Sequence, residues 1–477
     1  MKTRSIPTVV AITALLFATS PSPAADAKKV FRAGAYAMDI TPQKFPIYVN
    51  GGMQDRQARA ATDRLHARCL VLDDGTTKLA IAVCDSCMIP REILDDAKRR
   101  ASQTTGIPSD RMLISATHTH TAPTVAGVFQ SDPDADYVKY LPEKIAEGIA
   151  QAHSNLAPAQ IGWAVAQDPT QVFNRRWKMK PGTILTDPFG RSDDKVKMNP
   201  GYQNPGLAEP AGPIDPEVSI LSVRTPAGRP IALLANYSLH YVGGLPPLSA
   251  DYFGAFAERI AALLEIGDTN PPFVGIMSNG TSGDINNVNV AGQAHGIRRP
   301  GEQIQLVADG VAKAALAAYR KIEHRDWVPL AMAEREIELG VRLPSKDDVA
   351  RAKEILTAAK GKLTTQPEIY ARETVLLAEY PPTVKLKLQA IGVGELGIVA
   401  VPCEVFVEIG LAIKKESPLK PTFTIELANG YNGYLPTPEQ HRLGGYETWR
   451  ARSSYLEVDA SPKIQATVLE LLKAVAR

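Results

Sequence analysis

The segment Thr117-His118-Thr119-His120-Thr121 follows the apolar run 112–116 directly, so two imidazoles stand where a strand gives way to a loop. In an extended chain residues i and i+2 share a face, which lets His118 and His120 look into one pocket. The chemistry that arrangement offers is a metal ligand beside an acid/base group. An isolated HxH pair also serves as surface or capping histidines, so the rest of the chain must supply the partners.

His240 occupies a similar place, after the run 231–235 and before Tyr241-Val242-Gly243-Gly244. Glu404 follows Pro402 and Cys403 at the expected first turn of a helix, where the macrodipole favours an ionised carboxylate. Their ordinary readings are a hydrogen-bonded structural histidine and a plain helix N-terminal acid. The loop Asn279-Gly280-Thr281-Ser282-Gly283-Asp284-Ile285-Asn286-Asn287 has small residues that admit close backbone approach to a ligand. Asn174-Arg175-Arg176-Trp177 sets cations beside an aromatic ring, a pattern most common on solvated faces. Residues 428–437 carry two phenols, Tyr431 and Tyr434, between glycines, where packing or turn capping is the default.

The elements that must position these groups alternate between strand-like and helical patterns. The fold class is therefore α/β (mixed α+β): one large catalytic domain with mixed sheets, strand hairpins and flanking helices. Three stretches share one plan. Runs 69–72 and 79–83, 220–223 and 231–234, and 386–391 and 398–401 each read as a hairpin with a Gly-containing turn. Their second strands lead to Asp85, His240 and Glu404, and loops at strand ends are where scaffolds present chemistry. Helices are expected over 91–104, 137–154, 252–264, 301–319, 346–360, 405–415 and 462–475. Residues 178–216, rich in Pro, Gly and charge, read as a long binding loop or lid.

The chain has 477 residues, 44% hydrophobic and 22% charged, enough apolar material for a sizeable core. Lys2 and Arg4, the apolar stretch 8–18 and Ser22-Pro23-Ala24-Ala25 have the pattern of a secretory signal, expected to span residues 1–25. No later run reaches the length of a transmembrane helix. The mature chain is expected to be secreted or periplasmic. Losing Lys2 and Arg4 takes the basic count from 53 to 51, against 51 acidic residues, which disfavours phosphate-driven nucleic-acid binding. Cys84 and Cys87 form a CxxC without a second pair, so buried thiols are favoured over a zinc site or a bridge.

Together these pieces resemble the catalytic domain of the neutral/alkaline ceramidase family. The resemblance starts at Gly34-Ala35-Tyr36-Ala37-Met38-Asp39-Ile40-Thr41-Pro42. It continues through Ser115-Ala116-Thr117-His118-Thr119-His120-Thr121-Ala122-Pro123 and reaches the Tyr434 to Tyr446 segment, covering most of residues 26–477. It implies a zinc cofactor with His118, His240, Glu404 and Tyr434 as ligands, and His120, Arg175 and Tyr446 as catalytic helpers. Gly283, Asp284 and Asn286 take the place of its substrate-binding loop. The implied activity is hydrolysis of the amide of ceramide or a related N-acyl compound by zinc-activated water, with a small-molecule or lipid amide as partner. Asp85 is expected to hold a ligand histidine from behind.

Two departures separate this chain from the family pattern. Asn286 stands where the family carries a serine, and a carboxamide hydrogen-bonds but cannot be a hydroxyl nucleophile. The chain after Tyr446 also leaves no room for the immunoglobulin-like C-terminal domain of longer members, which favours a more soluble amide. A zinc esterase on the same scaffold and a non-catalytic binding homologue are the alternatives.

Overall fold

The three hairpins form, and each is extended by a helix and a further, parallel strand. In the first sheet β1 (Arg32–Asp39), β2 (His66–Asp73), β3 (Lys78–Cys84) and β4 (Met112–Ala116) lie in the order β4-β3-β2-β1. Helix α1 (Arg91–Thr105) carries the chain from β3 to β4, which pair in parallel. In the second, β5 (Gln160–Gln167), β6 (Glu217–Arg224), β7 (Pro230–Tyr237) and β8 (Val274–Asn279) lie in the order β8-β7-β6-β5. The third holds β9 (Leu330–Gly340), β10 (Thr383–Val393), β11 (Leu396–Ala400) and β12 (Thr422–Ile425) in chain order. Helices α3 (Asp251–Leu263) and α5 (Val407–Glu416) make the equivalent crossovers to the parallel strands β8 and β12. Gly75, Gly228 and Gly394 sit at positive φ (87°, 87° and 56°) in the hairpin turns, where a side chain would be strained.

The structure is a computed structural model that describes residues 1–9, 29–294, 296 and 298–476. Most of the expected export signal lies outside the described residues. Among those described, no helix is long and apolar enough to cross a membrane.

One face of all three sheets meets in a shared core. Leu70, Leu72 and Ile81 of the first touch the same cluster as Leu221, Leu234 and Ile276 of the second and Ile391, Ile398 and Phe423 of the third. The opposite faces are covered by helices. Cys69, Val71 and Ala82 pack with α1 and α2 (Ala135–Ser154), while α3 and α4 (Glu302–Tyr319) cover the second sheet. Helices α5 and α6 (Ala460–Val475) cover the third. Burial on both faces explains why these strands read as unbroken apolar runs rather than alternating ones. Cys69, Cys84, Cys87 and Cys403 are buried, unbridged thiols, as the CxxC reading expects.

Three local expectations need correction. Residues 178–216 are not irregular throughout: Val196–Met198, Arg176–Met179 and Leu207–Pro210 form a small antiparallel sheet. Strands this short give too few residues for alternation to register. The helix expected from residue 405 begins at Val407, because Glu404 and Val405 pair in parallel with Tyr434 and Leu435. A further helix, Gln366–Leu377, is started by a Thr365/Glu368 capping box, a local signal that apolar periodicity does not carry.

Candidate functional site

Each parallel strand delivers its following loop to the same end of the assembly as its hairpin's second strand. His118 and His120 follow β4, His240 follows β7, and Glu404 follows β11. The convergence of distant residues is thus a consequence of repeating one topology three times.

The two-residue spacing of His118 and His120 works, but not through an extended chain. His118 has φ 74°, in the left-handed region that costs a residue with a Cβ. Backbone bonds hold the turn: Thr117 N–H donates to the Cys84 carbonyl and His118 N–H to that of Ser86, both at 2.9 Å. The two rings meet edge to face, 4.6 Å between centroids.

Three donor atoms then converge. His118 Nδ1 donates to the Cys87 carbonyl at 2.7 Å, and His240 Nδ1 donates to that of Ser282 at 3.2 Å. Both rings therefore turn Nε2 inward, and these nitrogens stand 3.1 Å apart. Glu404 Oε2 lies 3.2 Å from His118 Nε2 and is buried without a hydrogen-bond donor. Glu404 Oε1 accepts from the Tyr431 hydroxyl at 3.1 Å. Lone pairs packed this closely repel unless a positive charge sits among them. One such charge is a proton on His118: burial opposes it, but Glu404 outweighs burial and holds that ring's pKa well above the usual histidine range; a divalent cation is the other. Burial and the charge on His118 push His120 and His240 well below it. The donor set of two imidazoles and a carboxylate suits a zinc-like divalent cation.

Tyr434 is placed beside Glu404 by the two-residue parallel pairing. Its ring meets that of Tyr446 at 5.8 Å and lies 5.4 Å under the Arg175 guanidinium. Burial raises the pKa of both phenols, so both stay protonated. Arg175 is buried rather than solvated: it donates to Glu447 Oε1 and the Gly283 carbonyl, each at 2.8 Å, with Nη1 3.4 Å from His240 Nε2. Glu447 also accepts from Arg176 at 2.6 Å, and the two guanidiniums overcome burial to hold its carboxyl below the ordinary range.

His120 Nδ1 donates to the Gly51 carbonyl at 2.6 Å, and its ring stacks on Tyr241 at 3.7 Å. Its Nε2 lies 3.1 Å from that of His118. A cleft of about 700 Å³ opens over His120, His240, Arg175, Tyr434 and Tyr446. Residues 184–186, Asp194, residues 196–199 and Tyr202 contribute to the cleft lining. So do apolar Met53, Phe129 and Trp449 and the carboxamides of Asn199, Asn286 and Gln303.

The expected substrate loop divides. Asn286 lines the cleft, with its Nδ2 donating to Asn199 Oδ1 at 2.9 Å. Gly283 and Asp284 do not line it. A Cβ on Gly283 would overlap the Glu404 backbone, so this glycine is a close-approach point. Asp284 accepts from Val407 N–H and Asn174 Nδ2, both at 2.8 Å, and burial lifts its pKa to about 7. Asp85 likewise bonds to neither His118 nor His240; its carboxylate accepts from the His66 N–H and from Arg68, which draw it toward β2.

Sequence reading missed Gly51, Tyr241, Glu447 and Glu426, each of which steers a site residue through a long-range contact. Tyr431, whose default reading is packing or turn capping, instead donates to Glu404.

Among solved structures the chain is similar to neutral ceramidase from Pseudomonas aeruginosa, with a TM-score of 0.71 at 16% identity over 94% of this chain and 75% of that one. A structure of ceramidase complexed with C2 matches with a TM-score of 0.70, at the same identity and coverage. No family model matches the sequence. The fold is that of the neutral ceramidases, as the sequence resemblance implied.

Proposed function

We propose that residues 26–477 form an exported zinc-dependent amidohydrolase that cleaves ceramide or a related N-acyl compound. The observation that carries this reading is the meeting of the buried His118 Nε2, His240 Nε2 and the donorless Glu404 Oε2, with His240 lining the cleft. His118, His240, Glu404 and Tyr434 would hold zinc, which when bound polarises a carbonyl and lowers the pKa of water to about 7.

The chain's own residues supply the rest. His120 is neutral and its Nε2 is free of a proton, so it takes one from the attacking water and returns it to the leaving amine. Tyr446, kept protonated by burial, donates to the oxyanion that develops on the amide oxygen. Arg175, locked by Glu447, stabilises the same negative charge and orients the substrate. Asn286 forms part of the wall and offers no hydroxyl nucleophile, which favours water over a serine as the attacking group.

The test is purified protein assayed against ceramide, short N-acyl amines and p-nitrophenyl esters, with and without zinc. Amide hydrolysis that needs zinc supports the reading. Hydrolysis of esters alone points to the esterase alternative, and zinc binding without turnover points to a binding protein.

A further inference from the structure

Behind the three donor atoms lies a second carboxylate that the mechanism does not use. Glu426 follows β12, is wholly buried, and has both oxygens engaged. Its Oε1 accepts from the Ser282 hydroxyl at 2.6 Å. Its Oε2 accepts from Ser282 N–H at 3.2 Å and from Val405 N–H at 2.7 Å. Ser282 carries the carbonyl to which His240 Nδ1 donates, and its hydroxyl is 3.5 Å from the same nitrogen. Val405 is the residue after Glu404. One side chain therefore grips the group that aims an imidazole from the second sheet and the backbone that carries a carboxylate from the third.

We propose that Glu426 is a positioning residue for the donor cluster. Through Ser282 it fixes the direction of His240 Nε2, and through Val405 it fixes the place of Glu404 Oε2, so the site is arranged before a divalent cation arrives. Ligand geometry depends on such outer partners, whose loss costs about 10- to 100-fold in metal affinity. The inference rests on reading the cluster as a metal centre.

The test measures zinc affinity of the full chain by competition with a chromophoric chelator, alongside the visible spectrum of the Co²⁺-loaded protein and the thermal unfolding of the metal-free form. Glu426→Met keeps the volume but removes every acceptor; it is expected to bind zinc about tenfold more weakly or worse and to shift the Co²⁺ bands. Glu426→Gln can still turn its carbonyl oxygen to the two N–H groups and is expected to recover most of the affinity. If the Met variant does not fold, Ser282→Ala removes one bond alone and should shift affinity in the same direction. A folded Met variant, or failing that a folded Ala variant, with wild-type affinity and spectrum would overturn the proposal. Unaltered protein that takes up neither ion would instead overturn the metal reading, and the proposal with it.

Discussion

His120 Nδ1 donates to the Gly51 carbonyl across 2.6 Å, which leaves Nε2 free and facing His118. Gly51 sits at φ 97°, and a Cβ there would overlap the His120 ring. Gly51→Ala should therefore cost about 1–2 kcal/mol of stability from the left-handed backbone alone. Displacing the ring should also lower kcat/KM by about 100-fold, while zinc content stays near wild type. Steady-state kinetics beside metal analysis checks this; full activity in the variant would remove His120 from proton transfer.

Glu447 is the shared counter-charge of two buried guanidiniums. Glu447→Gln is expected to destabilise the protein by about 3–5 kcal/mol, because it leaves charge buried without its partner. Its carboxyl is held below the ordinary value, so its contribution is complete above the unfolded carboxyl range and is lost as pH falls through the folded pKa. Urea unfolding across acidic to neutral pH should show the wild-type advantage shrinking on acidification. A constant gap would contradict the pairing.

Tyr434→Phe keeps the ring against Tyr446 and Arg175 but deletes the hydroxyl. If that oxygen is a fourth ligand, zinc affinity should fall by about tenfold or more with the fold intact. Isothermal titration of metal-free protein with zinc measures the change, and unchanged affinity would reduce Tyr434 to a packing residue.

Lys98 is wholly buried on α1, donating to Asn429 Oδ1 at 2.7 Å, and burial lowers its pKa from 10.5 to about 7. Below about pH 7 it is charged in both states and the burial penalty is complete. Between that point and 10.5 the folded state has lost the proton that the unfolded state still holds, so stability rises with pH. Lys98→Met should lack this rise. Denaturation at about pH 6, 8 and 9.5 separates the two, and parallel curves for both proteins would contradict the assignment.

The hairpins were legible because each sheet is buried on both faces, which writes long apolar runs ended by a Gly turn. The parallel strands β4, β8 and β12 are apolar runs too, but nothing local says which hairpin they join. Glu404 was legible as a candidate for the wrong reason: it lies in a two-residue pairing with Tyr434, not in a helix's first turn. Likewise His118 and His120 were found through an extended-chain argument, whereas a left-handed turn brings them together. Glu426 and Glu447 could not be found, since a buried acid that holds distant backbone or guanidinium groups looks like any other Glu in one dimension.

The most direct measurement is zinc stoichiometry by elemental analysis of the wild type beside His118→Ala and Glu404→Ala, with ceramide hydrolysis followed on the same preparations. One zinc per wild-type chain, with metal and hydrolysis lost together in both folded variants, is the expected result. Zinc content and turnover unchanged by either substitution would contradict the assignment of this cluster as the catalytic metal centre.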